Sequence, residues 1–199
     1  LELDERTQEM VMEDEQEHNR INSPVFDNTS DKVELWKNQY KINPALDEYG
    51  NGKAHIIDFA VRDEEGTITS SIEKGTRFSI LSEVKFEDTV QNPIFTYTFK
   101  NIQGTAITGT NTMYEKQEID VANAGDVYLC EFNQEMNLQG GEYLLSISCT
   151  GYRDGDFTVY HRLYDVINIS VVSDKNTVGF YDMNSKVKIT KVEKGKQER

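Results

Sequence analysis

The chain has 199 residues and a mass of 22.8 kDa, which is enough for one domain with an appendage. Hydrophobic residues make up 37% of it, which supports one core, while 21 basic against 35 acidic residues give a net charge of −14. A surface this acidic argues against nucleic-acid binding, and no apolar run reaches the roughly 18 residues of a membrane span. The chain opens on Leu1 without a signal-peptide pattern, so we expect a piece of a longer protein.

Residues 1–53 are predicted to form a connector that precedes the folded domain. Residues 1–22 contain no Gly or Pro and are rich in Glu, Gln and Met, but their apolar stripe is ragged. We therefore expect this stretch to be a frayed or partner-dependent helix, or disordered. Residues 23–53 carry prolines, glycines and asparagines around Trp36 and Tyr40, which is typical of a linker with a short ordered patch.

The hydrophobic period changes to two after Lys53, where β-branched and aromatic residues alternate with polar ones between Gly-, Asn- and Asp-rich turns. This regular spacing predicts an all-β domain over residues 54–185, an antiparallel Ig-like or jelly-roll-type β-sandwich. The predicted strands are 54–61, 67–72, 77–87, 94–101, 106–114, 126–133, 142–150, 157–172 and 178–183.

The last stretch, 186–199, carries six basic and two acidic residues, and its first part alternates like a strand. We expect either a basic tail or a terminal strand that is exchanged with a second copy, because exposed sheet edges invite pairing. An exchanged terminal strand is a low-cost route to a symmetric dimer. The sequence therefore predicts a homodimer.

Motifs that would indicate catalysis, metal binding or a cofactor are missing from the sequence. It contains no Walker A, dinucleotide-binding, nucleophile-elbow or zincin pattern. Its two cysteines, Cys130 and Cys149, lie at even offsets from aromatic and aliphatic neighbours, which predicts buried free thiols on strand faces. With three widely spaced histidines they make no zinc signature. We expect no enzyme activity, no metal and no cofactor.

Alternation within the strands assigns one face to the core and leaves the opposite face polar. The predicted core residues are Phe95, Tyr97, Phe99, Tyr143, Leu145, Ile147 and Cys149. The opposite face carries small polar side chains and one lysine, and hydroxyls that both donate and accept hydrogen bonds suit a polyhydroxylated ligand. Ordinary exposed strand residues are the open alternative. The candidate ligand-contacting residues in these rows are Thr96, Thr98, Lys100, Ser146 and Ser148.

A second set of candidates lies in the long strand 157–172. If its isoleucines point to the core, Tyr160, Arg162 and Tyr164 share the outer face. Two tyrosines flanking an arginine can stack on a sugar ring and bind its hydroxyls or an anionic substituent. A surface cation–π cluster or a dimer contact remains open at this point.

The middle of the chain resembles the C-terminal domain of Wzt-type ATP-binding subunits, which belong to ABC exporters of O antigen and related cell-surface polysaccharides. The resemblance covers about residues 54–182, and Thr96 departs from the glycine that the family often has there. The matching pieces are Asn92-Pro93-Ile94-Phe95, Lys100-Asn101 with Gly104, Gly109-Thr110-Asn111-Thr112, and Gly140-Gly141-Glu142-Tyr143.

This resemblance implies non-catalytic recognition of the exported polysaccharide, in several family members through its modified non-reducing end. It implies that the preceding connector joins an ATPase domain absent from this chain, and that the full-length protein meets a membrane-spanning exporter subunit at the cytoplasmic face of the membrane. It also implies a homodimer, with strand exchange known in the family. A structural dimerisation or protein-interaction sandwich without glycan binding is the alternative.

Overall fold

The computed structural model of the protein describes residues 34–191. The helix predicted over 1–22, and the tail beyond residue 191, lie outside these residues. The described part contains one short 3₁₀ helix, Trp36–Gln39. Its strands are β1 (Asp47–Tyr49), β2 (Ala54–Asp63), β3 (Ser71–Glu73), β4 (Arg77–Phe86), β5 (Val90–Gln91), β6 (Ile94–Asn101), β7 (Ala106–Asn111), β8 (Val121–Ala122), β9 (Val127–Glu135), β10 (Gly141–Arg153) and β11 (Asp156–Val172).

The strands form two packed sheets, so the predicted all-β sandwich is confirmed. The larger sheet, called sheet A below, has the order β1-β11-β10-β6-β7, with β3 pairing in parallel with the end of β11. The smaller one, sheet B, has the order β2-β4-β9, and β5 pairs with β8 apart from both. All pairings other than that of β3 are antiparallel.

The core lies between the inner faces of the two sheets, where aromatic rings meet edge to face. Phe78 of sheet B packs against Phe99 of sheet A with ring centroids 6.3 Å apart, and Tyr97 lies 5.0 Å from Phe132. Burial of these apolar faces supplies the main driving force for the sandwich. The seven core residues predicted from alternation are confirmed, since each is at most 8% exposed.

The strand predicted over 178–183 is wrong. That segment makes one isolated bridge, between Tyr181 and Leu138, and residues 184–191 form no strand. Val178 and Met183 are 98% and 83% exposed, so alternation there does not mark a buried face. The pattern has the right period, but the described residues give it no partner strand.

The sequence predicts a connector up to residue 53, whereas the structure places residues 34–53 against the sandwich. The Asp58 carboxylate of β2 accepts hydrogen bonds from the backbone N–H groups of Trp36 and Lys37, each at 2.9 Å. Strand β1 then adds to the edge of sheet A beside β11. Tyr40 also stacks on Phe59 and Leu46 packs against the core, but isolated apolar residues like these produce no hydrophobic periodicity.

Strand β11 is irregular at two places opposite β10, and the second place overturns one predicted face. Cys149 pairs with His161 and Thr150 with Val159, so Tyr160 is an extra residue in a β-bulge. Tyr160 is therefore 5% exposed and belongs to the core cluster, rather than to the outer face that strict alternation predicts. Its ring lies over Gly151, where an added Cβ would come within 2.9 Å of the ring.

We therefore expect Tyr160→Ala to damage the fold itself. Removing a buried aromatic side chain typically costs about 3–5 kcal/mol, because apolar contact is lost and a cavity remains. Tyr152→Ala is the matched control, since Tyr152 is 53% exposed near the same hairpin end, and it should cost about 1 kcal/mol or less. Urea unfolding of both variants measures the difference, and equal free energies of unfolding would contradict the inward placement of Tyr160.

Candidate functional site

The outer face of sheet A is organised around Arg162. Its Nε donates to Ser148 Oγ at 2.9 Å, and its Nη1 donates to the hydroxyls of Tyr49 at 3.0 Å and Tyr164 at 3.2 Å. The guanidinium carbon also lies 5.1 Å from the Tyr164 ring centroid and 5.8 Å from that of Phe157. These contacts fix the arginine on the face through neutral hydroxyls and aromatic rings.

Arg162 lacks an acidic partner within residues 34–191, although the chain has a large acidic excess. Its Nη2 donates to no other atom of the described residues. A guanidinium offers five N–H donors in a planar fork. The two on Nη2 are therefore available to oxygen atoms of a ligand.

A second polar group lies next to this arginine, beyond Tyr164. Lys100 Nζ lies 2.9 Å from Asp165 Oδ1 and 4.0 Å from the centroid of the Tyr164 ring. The same Asp165 oxygen accepts a hydrogen bond from Ser146 Oγ at 3.1 Å. Because lysine and aspartate neutralise each other, Arg162 is the uncompensated cation of this face.

An open groove of about 430 Å³ runs along the face from Arg162 towards the edge strand β7. Its floor includes Thr96, Thr98 and Thr150, and aromatic side chains lie along its rim. Tyr152 and Phe157 are 53% and 54% exposed, with ring centroids 5.8 Å apart. Threonine hydroxyls below exposed rings can hydrogen-bond and stack with one ligand.

Glycine at position 109 brings the edge strand close to the groove. Gly109 of β7 lies opposite Thr98, and an added Cβ would be 2.4 Å from the carbonyl oxygen of Tyr97. A larger residue would push β7 away from β6. The glycine thus lets the floor of the groove extend to the sheet edge.

The predicted site residues divide into three groups. Five of them, Thr96, Thr98, Lys100, Arg162 and Tyr164, lie on the outer face as expected, and the structure does not test what they bind. Ser146 and Ser148 are 3% and 7% exposed, and their hydroxyls are engaged by Asp165 and Arg162, so they position these side chains. Tyr160 points inward, as described above.

Residues that the sequence prediction missed complete the face. Tyr49 comes from the segment taken for a linker, and Tyr152 and Phe157 flank the β10–β11 turn. A signal existed for the latter two, since an aromatic residue on each side of "RDGD" is unusual for an exposed turn. No signal existed for Tyr49, because only the tertiary fold brings it beside Arg162.

A second groove, of about 490 Å³, opens between the two sheets on the β7 and β9 side. Its floor is aromatic, with Tyr97, Tyr128 and Phe132, and it also contains Cys130. Burial raises the pKa of the Cys130 thiol to about 12, so this sulfur stays protonated and weakly nucleophilic. Both cysteines are free, as predicted; Cys149 is buried as expected, whereas Cys130 is only half-buried.

Residues 34–191 contain no cluster of metal-ligating side chains, and none of their helices is long and apolar enough to cross a bilayer. The fold and the face define an antiparallel β-sandwich module with a polar outer surface. Comparison with known families gives a narrower class. The family model of the Wzt C-terminal domain matches residues 46–183, and the chain belongs to this family.

A solved structure supports the fold. A crystal structure of the C-terminal domain of Wzt matches with a TM-score of 0.71 at 24% identity, covering 81% of this chain and 99% of that one. A crystal structure of a CARDB domain from Pyrococcus furiosus with di-metal ions reaches only a TM-score of 0.34 at 13% identity, covering 58% of this chain and 88% of its own, and carries no argument. No curated protein matches the chain.

A neutral histidine fixes the strands behind Arg162. His161 Nδ1 accepts a hydrogen bond from the Ile56 N–H at 2.9 Å, and its Nε2 lies 2.9 Å from Glu48 Oε1. With Nδ1 accepting, the neutral ring carries its proton on Nε2 and donates to Glu48. Burial lowers the pKa of His161 below its ordinary value of 6.5, and the Glu48 contact opposes this shift only in part.

We expect this histidine to make the fold less stable in mild acid. Below pH 6.5 the unfolded chain binds a proton at this position, whereas the folded chain binds it only at the lower pKa of the buried ring. The free energy of unfolding therefore falls as the pH drops from 6.5 to that lower pKa. His161→Asn keeps a hydrogen-bond acceptor but cannot titrate. Denaturant unfolding at pH 7.5, 6.5 and 5.5 should show a steeper loss in the wild type, and parallel losses would rule this explanation out.

Proposed function

We propose that this domain recognises an exported cell-surface polysaccharide without catalysis, as the C-terminal module of the ATP-binding subunit of an ABC exporter. Membership of the Wzt C-terminal domain family supports the place in a transporter subunit and the non-catalytic role. One observation carries the glycan assignment. Arg162 has no acidic partner among the described residues and is held by hydroxyls and rings at the end of an open groove.

The chemistry of the face suits sugars better than other ligands. Sugar hydroxyls donate and accept, and they match the threonine floor and the free Nη2 donors of Arg162. The apolar faces of sugar rings stack on aromatic side chains, and Tyr152 and Phe157 are exposed for such contact. Binding orients the polymer and makes or breaks no bond.

The charge of the protein favours a neutral or lightly modified glycan. A chain with a net charge of −14 repels a polyanionic polymer. Lys100 is already paired with Asp165, so among residues 34–191 of this face Arg162 is the cation left to offset this field. A single anionic substituent beside Arg162 is compatible with this balance, and a charge on every repeat is not.

The setting follows from the same proposal. The domain works at the cytoplasmic face of the membrane, where the full-length subunit meets a membrane-spanning exporter subunit. The polysaccharide is its ligand and nucleic acid is not a partner. The module holds the glycan, while ATP hydrolysis belongs to the domain that precedes it.

We expect Arg162→Ala to weaken glycan binding about 10- to 100-fold while leaving the fold intact. Charge-assisted hydrogen bonds to the ligand are worth roughly 1.5–3 kcal/mol, and 1.4 kcal/mol is a factor of ten. Arg77→Ala is the matched control, because Arg77 is exposed at the start of β4 in the other sheet. Titration calorimetry with the surface polysaccharide of the source organism measures both affinities.

Equal affinities of Arg162→Ala and wild type would place the glycan site elsewhere, with the loops 101–105 and 151–156 as the next candidates. If the wild-type chain binds neither this polymer nor any sugar on a glycan array, the proposal fails. A structural sandwich that mediates protein contacts would then be the remaining function.

We also propose that the chain forms a homodimer, with exchange of the terminal segment as one arrangement. Val187 and Ile189 are 81% and 92% exposed and alternate with lysines. Strand β9 is an edge strand of sheet B, and two of its own residues, Tyr128 and Phe132, are half-buried along the adjacent groove. A basic, alternating segment is suited to pair with such an edge.

The dimer proposal predicts that Ile189→Asp shifts the chain to a monomer, because a charge replaces an apolar contact in the interface. Thr190→Asp adds the same charge on the opposite side of the segment and should leave the dimer in place. Light scattering at micromolar concentration reports the mass directly. A wild-type mass near 22.8 kDa would contradict the dimer.

A further inference from the structure

The segment 34–49, called the strap below, joins the two sheets and then enters the candidate site. It begins on sheet B, where Trp36 and Lys37 donate backbone hydrogen bonds to Asp58 of β2. It ends on sheet A, where β1 pairs with residues 162–164 of β11. One short stretch of chain therefore connects Asp58 with the residues that surround Arg162.

The contacts along the strap combine specific hydrogen bonds with two apolar contacts. The Tyr40 ring stacks on Phe59 with centroids 5.8 Å apart, and Leu46 packs against the core. The Tyr40 hydroxyl accepts a hydrogen bond from the Val61 N–H at 2.6 Å and donates to the Val61 carbonyl at 3.0 Å.

Further along, Asn43 donates two hydrogen bonds to β11. Its backbone N–H donates to the Val166 carbonyl at 3.0 Å, and its side-chain amide donates to the Asp165 carbonyl at 2.8 Å. The strap is thus fixed at a few points on each sheet.

No residue of the strap is buried in the core. The residues of β1 are exposed, and the 3₁₀ helix contributes no buried side chain. Segments with little buried apolar surface open at a lower free energy than the core does. The apolar contact of the strap with the core is limited to the half-buried Tyr40 and Leu46, so we expect opening of the strap to cost less free energy than separation of the two sheets.

Two strap contacts support the candidate site directly. Tyr49 accepts a hydrogen bond from Arg162 Nη1, and its ring centroid lies 5.9 Å from that of Tyr164. Asn43 holds the backbone of Asp165, whose carboxylate pairs with Lys100. Arg162 and the Lys100–Asp165 pair thus depend on a docked strap for part of their positioning.

We infer that the strap is a latch that couples ligand binding at Arg162 to docking on Asp58, which makes Asp58 a remote positioning residue of the site. This inference rests on the proposed function. A ligand that needs Arg162 in its observed place favours the docked state, and by linkage a docked strap raises ligand affinity to the same extent.

The chain contains its own reporter of this equilibrium. Trp36 is its single tryptophan, and its backbone N–H makes one of the two bonds to Asp58. Fluorescence of Trp36 reports docking of the strap, and hydrogen exchange of the Trp36 and Lys37 amides reports the two bonds themselves. Neither measurement depends on ligand contact, because Trp36 and Lys37 are docked against sheet B, whereas the candidate site lies on the outer face of sheet A.

Asp58→Asn tests the latch, and Glu83→Gln is its matched control. Glu83 lies directly opposite Asp58 on β4. Burial, together with the Asp58 charge, raises the pKa of the Glu83 carboxyl. Unlike Asp58, Glu83 makes no hydrogen bond to the strap. With the purified surface polysaccharide as the probe, Asp58→Asn should bind about five- to tenfold more weakly and Glu83→Gln should bind like wild type. In wild type, the probe should change Trp36 emission and slow exchange of the two amides at least fivefold.

The possible outcomes separate the latch from the glycan function. If the wild type binds the polysaccharide, but Asp58→Asn binds equally well and exchange at Trp36 does not change, the latch is wrong and the glycan function stands. If the wild type binds no glycan, Tyr49→Phe tests the latch without ligand. Loss of this hydroxyl should then speed exchange at Trp36 and Lys37 at least twofold, and unchanged exchange would overturn the latch.

Discussion

The long antiparallel pairing of β10 with β11 is the constraint on which the rest of the structure depends. Strand β11 also pairs with β1 and β3, so its register determines which side chains of these neighbours face the core and which face outward. Its first irregularity lies between the pairs Leu145–Ile167 and Ile147–Leu163, and its second surrounds Tyr160. The first turns the Asp165 carboxylate towards Lys100, and the second sends a tyrosine into the core while Arg162 stays outside. A site and a core are thereby built from one strand.

The electrostatics of the outer face follow from which groups are paired there. Lys100 and Asp165 neutralise each other, while Arg162 is surrounded by hydroxyls and rings. On this face Lys100 is paired with Asp165, whereas Arg162 has no acidic partner among the described residues. Neutral surroundings hold its position and leave its outward donors for an incoming ligand. The proposed glycan binding depends on this combination, which provides directional donors in an acidic protein that repels polyanions.

The two sides of the sandwich differ: the strap covers one of them, and the other is an open groove. On the β2 and β11 side, the strap crosses from one sheet to the other with polar contacts and supplies Tyr49 to the outer face. On the β7 and β9 side, the described residues leave an open groove with aromatic side chains at its base. On the first side, the strap reaches the candidate site through Tyr49. On the second side, β9 is an edge strand whose outer edge the described residues leave unpaired. The proposed ligand-binding face and the proposed dimer edge therefore lie on separate parts of the domain.

The sequence by itself determined the all-β class, most strands and the inward row of β6 and β10, because alternation at period two reports directly which side of a strand is buried. Alternation alone was enough to predict that the aromatic and aliphatic residues of these two strands, from Phe95 to Phe99 and from Tyr143 to Cys149, point inward. Family-specific motifs likewise indicated the Wzt C-terminal domain. These features depend on neighbours that are close in the chain or on repeated local patterns.

Only the tertiary structure decided the composition of the site. The bulge at Tyr160 requires Gly151 on the partner strand, and no local pattern in β11 shows it. Tyr49 reaches Arg162 through strand pairing between residues more than a hundred positions apart. The terminal alternation at 178–183 found no partner strand among the described residues, although its period is right. Alternation records which residues could face a core, and long-range pairing determines which of them do.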